Sequence, residues 1–216
     1  MIKIENVEVF GWEAAIRGMR NPLNSWNKSD SYWTHIEDTE TQQTANFEFF
    51  VGENDLKLMK SLAKAGDDHG KFLRMINVTL DITAPIYFFK EWDTYKVGTV
   101  ANSCSTMHKI HAKAFELDDF SHEKLYVDCL GLLGDTIDKL NYYREAFIET
   151  KDKDYWWQLI QLLPSSYNQK RTVQLNYQVL KSMYHSRKSH KLDEWRTFCE
   201  WIKSLPYSEL ITGEED

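Results

Sequence analysis

Residues 90 to 108 read "KEWDTYKVGTVANSCSTMH". Thr, Ser, Cys, Asn and Lys crowd there around Gly98, directly behind an apolar segment. Such a run reads as a loop of small hydrogen-bonding groups on a rigid platform, the usual setting of a ligand site. Cys104 could serve as a nucleophile if Lys96 or His108 lowered its pKa. The plainer alternative is a small packed side chain.

A second set lies in "RTVQLNYQVLKSMYHSRK", which reads as a helix. Eleven residues at about 100° each return to nearly the same face, so Asn176, Leu180, Met183 and Arg187 would share one stripe. Asn176 and Arg187 would then stand roughly 16 Å apart along the axis. That separation suits two ends of an extended ligand such as a dinucleotide. The alternative is a helix whose polar ends are merely solvated. His185, Arg187, Lys188, His190 and Lys191 form a basic cluster that could hold a phosphate or a uracil-like ring. It could equally be favourable charge at a helix C-terminus.

His108 and His111 are three apart, with His122 further on, but no Cys or carboxylate completes a metal set, and none is expected. Neither a phosphate-cradling loop nor a GxGxxG turn is present.

These groups need elements to hold them. "IKIENVEVF" alternates and reads as a strand, and "WEAAIRGM" as a short helix. "RNPLNSWNKSDSYW" reads as a polar loop dotted with aromatics. "NDLKLMKSLAKAG" reads as a helix with Asn54 or Asp55 as N-cap and Gly66 at its stop. "INVTLDIT" is the clearest strand, with Ile76, Val78, Leu80 and Ile82 on one face. Pro85 opens a helix over "PIYFFKEWDTY". From His122 to Thr150 the apolar positions Leu125, Cys129, Leu132, Leu133, Ile137 and Leu140 recur at helical spacing. "DYWWQLIQLL", stopped by Pro164, and "KLDEWRTFCEWIKSL" give further helices. Strands come early and helices late, which reads as an α+β domain over 1–216, with or without a helical arm.

The chain has 216 residues and a net charge of −7. That argues against broad binding of nucleic-acid backbone, though a local basic pocket for one phosphate is compatible with it. No apolar run reaches the length of a membrane span, and "MIKIENVEVF" lacks the regions of a secretory signal. Cys104, Cys129 and Cys199 are odd in number and far apart, so free thiols in a reducing cytoplasm are expected. Disorder is expected only in the acidic tail "TGEED", about 211–216.

Several segments, in order, resemble the flavin-dependent thymidylate synthases. "LKLMKSLAKAGDDHGKFLRMINVTLDITAPIYFFKEW" is similar to that family's helix, its Gly-His-containing turn, its strand and its "CPIF…RQW" helix start. "LLPSSYNQKRTVQLNYQVLKSMYHSRKSHKLDEWR" is similar to its "LP" turn, its "N-A-R-S-L" helix and its "LR…HAQWEIR" close. The likeness covers roughly 50–108 and 155–200. The signature loop departs from the pattern. Where the family has Arg-His-Arg this chain has Thr94-Tyr95-Lys96, and Thr99 stands for the first serine. Ala101-Asn102 stands for Asn-Glu, Cys104 for the second serine, and Thr106-Met107 for Arg-Tyr. Asn176 and Arg187 match the family's asparagine and arginine, while Gln178 sits where an arginine is usual.

The resemblance implies an antiparallel sheet with long helices, a homotetramer, and FAD and dUMP held between subunits. Arg187, Lys96, Tyr95, Asn102, Cys104 and Thr106 would lie by the nucleotide. Asn176, Gln178, His69 and Thr94 would lie by the FAD cofactor. Arg20, with Arg17, Arg74 and Lys90, could replace the missing arginines. Each lost charge-assisted contact would cost about 1.5–3 kcal/mol. Three readings stay open: a synthase that methylates a uridylate-type nucleotide, a non-catalytic module that sequesters or senses a nucleotide, and an interaction protein with an empty fold. The second could be a phage counter-defence protein that binds a signalling nucleotide.

Overall fold

The computed structural model of the chain describes residues 2–36 and 46–213; the acidic end 214–216 lies outside them. In chain order the elements are β1 (Lys3–Phe10), α1 (Trp12–Arg20), β2 (Tyr32–Ile36), β3 (Asn46–Phe50), α2 (Glu53–Lys64), β4 (Asn77–Pro85), α3 (Ile86–Trp92), β5 (Val100–Ser103), α4 (Val127–Thr150), α5 (Lys153–Leu162), β6 (Asn168–Asn176), α6 (Tyr177–Arg187), α7 (Asp193–Lys203) and α8 (Glu209–Thr212). No helix among the described residues is long and apolar enough to cross a membrane.

Four strands make one antiparallel sheet in the order β1-β4-β6-β5. The alternation of β4 sets its two faces. Val78, Leu80 and Ile82 are buried, while Thr79, Asp81 and Thr83 face outward. β6 repeats the pattern, with Val173 and Leu175 inside and Thr172 and Gln174 outside. The buried face packs against α6 and α7 through Leu180, Met183, Trp195, Phe198 and Ile202. The fold is α+β, as the sequence implies.

Four local expectations need correction. The helix expected over 171–188 starts only at Tyr177. The residues before it alternate with period two and find backbone partners in β4 on one side and β5 on the other. The loop expected over 90–108 contains the edge strand β5 and the end of α3, which begins one residue after Pro85. Neither Asn54 nor Asp55 caps α2. Its N-cap is Gly52, and the Asp30 carboxylate accepts the amides of Asn54 (2.9 Å) and Asp55 (3.1 Å). The aromatic-dotted segment read as a loop ends in a hairpin, β2 paired with β3, whose Tyr32 and Phe50 rings lie 5.3 Å apart.

α4 starts at Val127, five residues later than expected, and pairs with α5 over a second cluster containing Leu133, Ile137, Leu140 and Leu159. Leu125, Cys129 and Leu132 from the same predicted stripe are exposed. Leu125 precedes the helix, and for Cys129 and Leu132 the cause is length. At 1.5 Å per residue α4 runs about 36 Å and α5 about 15 Å, so α5 covers only part of its partner.

Candidate functional site

A cleft of about 420 Å³ opens where the 94–98 loop crosses the N-terminus of α6. Its walls include Thr94, Tyr95, Gly98, Asn176, Gln178 and Arg74. Asn176 ends β6 in extended conformation, and its side chain accepts the amide of Val179 at 3.0 Å, capping α6. It is therefore at the junction of strand and helix, and not on a helical stripe. Gly98 has φ +82°, and a Cβ there would lie 3.1 Å from Asn176 Nδ2 and 3.2 Å from Val179 Cγ2. Only glycine takes that backbone easily and lets the loop lie so close. Gln178 donates to Asp67 at 3.0 Å, and its other amide atom, Oε1, is buried without a partner among the described residues.

Arg187 sits behind Tyr95. Its Nε donates to the Tyr95 hydroxyl at 3.0 Å and its Nη1 to Glu91 Oε2 at 2.9 Å. The guanidinium also lies 5.0 Å from the ring centre of Trp195. Glu91 Oε2 accepts a second bond, from Trp195 Nε1 at 3.0 Å, and His190 Nε2 lies 3.2 Å from the same oxygen. His190 Nδ1 accepts the amide of Leu192, so its proton is on Nε2, facing Glu91. One carboxylate oxygen thus accepts from Arg187 and Trp195 with His190 close by, and it neutralises the arginine that the resemblance places by the nucleotide.

The structure brings Thr94, Tyr95, Asn176 and Gln178 into one cleft and joins Arg187 to it through Tyr95. It places the other candidates elsewhere. Lys96 is exposed on the loop. Asn102 lies in β5 opposite Thr172, and Cys104 pairs beyond it with Lys170 (2.9 Å), so these two follow the sheet edge, and Thr106 lies in the bend that comes after it. His69 is exposed at the turn before Gly70. Arg20 is 4 % exposed and spent on Asp55 (2.6 Å), on Ser25 and on the Lys28 carbonyl, which leaves it nothing to offer a ligand from the cleft. The basic cluster of 185–191 disperses: His185 reaches the Ile211 carbonyl, Lys188 lies over the Tyr184 ring and His190 meets Glu91. Among the described residues no three His, Cys, Asp or Glu side chains converge as a metal site would.

Sequence reasoning missed Glu91 and Asp67, and gave Gly98 no role of its own. For Glu91 a signal existed. The "RQW" of the resemblance reads "KEW" here, a carboxylate in place of an amide. Asp67 gave none, because only the fold carries it to Gln178.

The sequence matches no family model and no curated protein. Solved structures do match. The flavin-dependent thymidylate synthase ThyX from Helicobacter pylori, complexed with FAD and dUMP, is similar over 98 % of both chains, with a TM-score of 0.68 and 15 % identity. A second structure of that enzyme with FAD and dUMP gives 0.69 and 16 % over 99 % of this chain and 98 % of the other. The UMP/dUMP methylase PolB from Streptomyces cacaoi, bound with 5-Br dUMP, gives 0.62 and 15 % over 99 % of this chain and 95 % of the other. The chain has the fold of these enzymes along nearly its whole length.

Proposed function

We propose that this chain binds a nucleotide or nucleotide-like ligand in the cleft between the 94–98 loop and the start of α6, and that it does so as a sequestering or sensing module. The observation that carries the reading is the junction at Tyr95. Its ring walls the cleft and its hydroxyl holds Arg187, while Thr94, Asn176 and Gln178 supply donors and acceptors beside it. A planar base finds a ring to lie against and amides to pair with.

FAD makes a different demand on the same residues. Its diphosphate needs cations. The lining of one chain includes one cation, Arg74, and one carboxylate, Asp67. Arg187 is already neutralised by Glu91. The lining of a single chain therefore does not fit the diphosphate, whereas it fits the uncharged part of a nucleotide. A synthase that methylates dUMP with FAD is the second reading, favoured by the FAD and dUMP in the Helicobacter pylori structures. It requires cations from further copies of this chain, as a homotetramer would supply. In the first reading, a signalling nucleotide in phage–host conflict is one ligand of the right chemistry.

The test is an absorbance spectrum after FAD addition and desalting, followed by thermal melts with uridine and adenine nucleotides. We expect no retained flavin band. A binding nucleotide at about 100 times its Kd should add roughly 2.7 kcal/mol of stability, and Arg187→Ala should reduce that response. Retained flavin moves the protein to the synthase reading. No response to any nucleotide, with no flavin, sinks both.

A further inference from the structure

A larger cleft, about 1010 Å³, lies on another side of the molecule, between the start of α3, the turn before α4 and the first turns of α7. It shares no lining residue with the nucleotide cleft. Glu194 lines it and is only 9 % exposed. Its Oε1 accepts the hydroxyl of Tyr87. Burial pushes the Tyr87 hydroxyl well above the usual phenol range, and the Glu194 carboxylate pushes it the same way, so the proton stays on the tyrosine.

That hydrogen bond is the carboxylate's only partner among the described residues. Two of the cations that line the cleft are engaged elsewhere. Lys124 pairs with Asp193 at 3.4 Å. Arg196 pairs with Asp193 as well and donates to the carbonyls of His190 and Lys191. Its second oxygen keeps access to the cleft and has no partner among the described residues, so a cation entering the cleft can pair with it. Ile2, Leu125 and Leu192 give the cleft an apolar wall beside it.

We propose that this cleft is a second ligand site, in which Glu194 takes the amidine- or guanidine-type edge of a small organic cation whose apolar body lies against Ile2, Leu125 and Leu192. Two parallel N–H groups match a carboxylate in the forked manner that guanidinium groups use. The cleft is of the size that encloses small organic ligands. The site goes beyond the nucleotide reading and does not depend on it.

The probe is benzamidine, a flat amidinium on an apolar ring, titrated into the full chain by ligand-observed nuclear magnetic resonance, with neutral benzamide as comparison. Benzamidine should bind saturably and benzamide about tenfold more weakly or worse, as expected for loss of a charge-assisted pair. Glu194→Gln keeps the shape and the Tyr87 bond, and should weaken benzamidine by about tenfold or more. Thr197→Trp, at an exposed lining position, should block entry while leaving the nucleotide melts unchanged. No binding to the wild type, or equal binding to Glu194→Gln, overturns the proposal. If Glu194→Gln does not fold, unaltered binding to Thr197→Trp overturns it.

Discussion

Glu91 and Arg187 are 96 residues apart in sequence and 2.9 Å apart in the fold. The pair fixes the end of α6 against α3, and Trp195 and His190 of the following segment close on the same carboxylate oxygen. Arg187 is therefore held by the protein itself, through Glu91 and the Tyr95 hydroxyl.

Removing that carboxylate should separate two effects. Glu91→Ala strands Arg187 and the Trp195 indole N–H, and should cost about 1–3 kcal/mol. For a chain of this size that is a fall of several degrees in Tm. Glu91→Gln keeps an acceptor and should cost less, while leaving Arg187 uncompensated and so strengthening the response to anionic nucleotides. Thermal melts with and without nucleotide read both effects. Equal losses in the two variants would show that the charge is immaterial.

Arg20 and Asp55 form a buried pair whose breakage should be severe. Burial acts to raise the Asp55 pKa, but bonds from Ser29, Ser31 and Arg20 outweigh it and hold the carboxyl below its ordinary value. A pKa lower in the folded than in the unfolded chain gives stability that is full above about pH 4, the unfolded value, and lost as pH falls through the folded one. Asp55→Asn should flatten that part of the acid unfolding curve. Arg20→Ala should cost about 3–5 kcal/mol at neutral pH by leaving the carboxylate uncompensated. An unchanged acid limb in Asp55→Asn would show that the transition belongs to other groups.

Gly98 and Gly131 should answer alanine with opposite signs. At Gly98 the positive φ and the close Asn176 amide both penalise a Cβ, and the backbone alone should cost about 1–2 kcal/mol. At Gly131, inside α4, a Cβ meets nothing within 4 Å, so alanine should add about 0.5–1 kcal/mol. Urea melts measure both. A loss at Gly131 would mean that another surface approaches it closely in solution.

Asn176 caps α6 and lines the cleft, and substitution can divide the cap from the proposed contact with a nucleotide. Asn176→Ala loses the cap of α6 at about 1 kcal/mol and also weakens nucleotide binding. Asn176→Asp keeps the cap, since a carboxylate is favoured at a helix N-terminus, but places a negative charge in the cleft. Its Tm without ligand should stay near wild type while its nucleotide response falls. A full response in Asn176→Asp would place the ligand away from this residue.

What the sequence could reveal depended on how far each cause reaches along the chain. The alternation of β4 was plain because burial on one face writes itself into every second residue. The start of α6 was misplaced because Thr172 to Leu175 fit a helical window as well as a strand, and only pairing with β4 and β5 decides between them. Asn176 and Arg187 were found on residue type and resemblance, yet the helix stripe offered for them is a strand end and a helix end. Arg20 was offered to a ligand because nothing local reveals Asp55 as its partner, 35 residues away. The cap of α2 was missed for the same reason. Asp30 arrives from a different loop.

The middle of the sheet joins parts of the chain that are far apart. Asp81 of β4 and Thr172 of β6 hydrogen-bond across 91 residues, whereas α4 and α5 are separated by only two, Lys151 and Asp152. Closing a long loop is slow, and contacts between near neighbours form first. We expect the α4–α5 hairpin to condense early and act as a splint. By folding back on itself it brings Phe120 to Tyr167, which form a bridge, and so shortens the span that β4 and β6 must close. Pulse-labelled hydrogen exchange should protect amides around Leu140 and Leu159 before those of Val173. The order in which the chain acquires its shape would then run from the α4–α5 hairpin inward, and the cleft beside Tyr95, which needs the finished end of β6, would be assembled last.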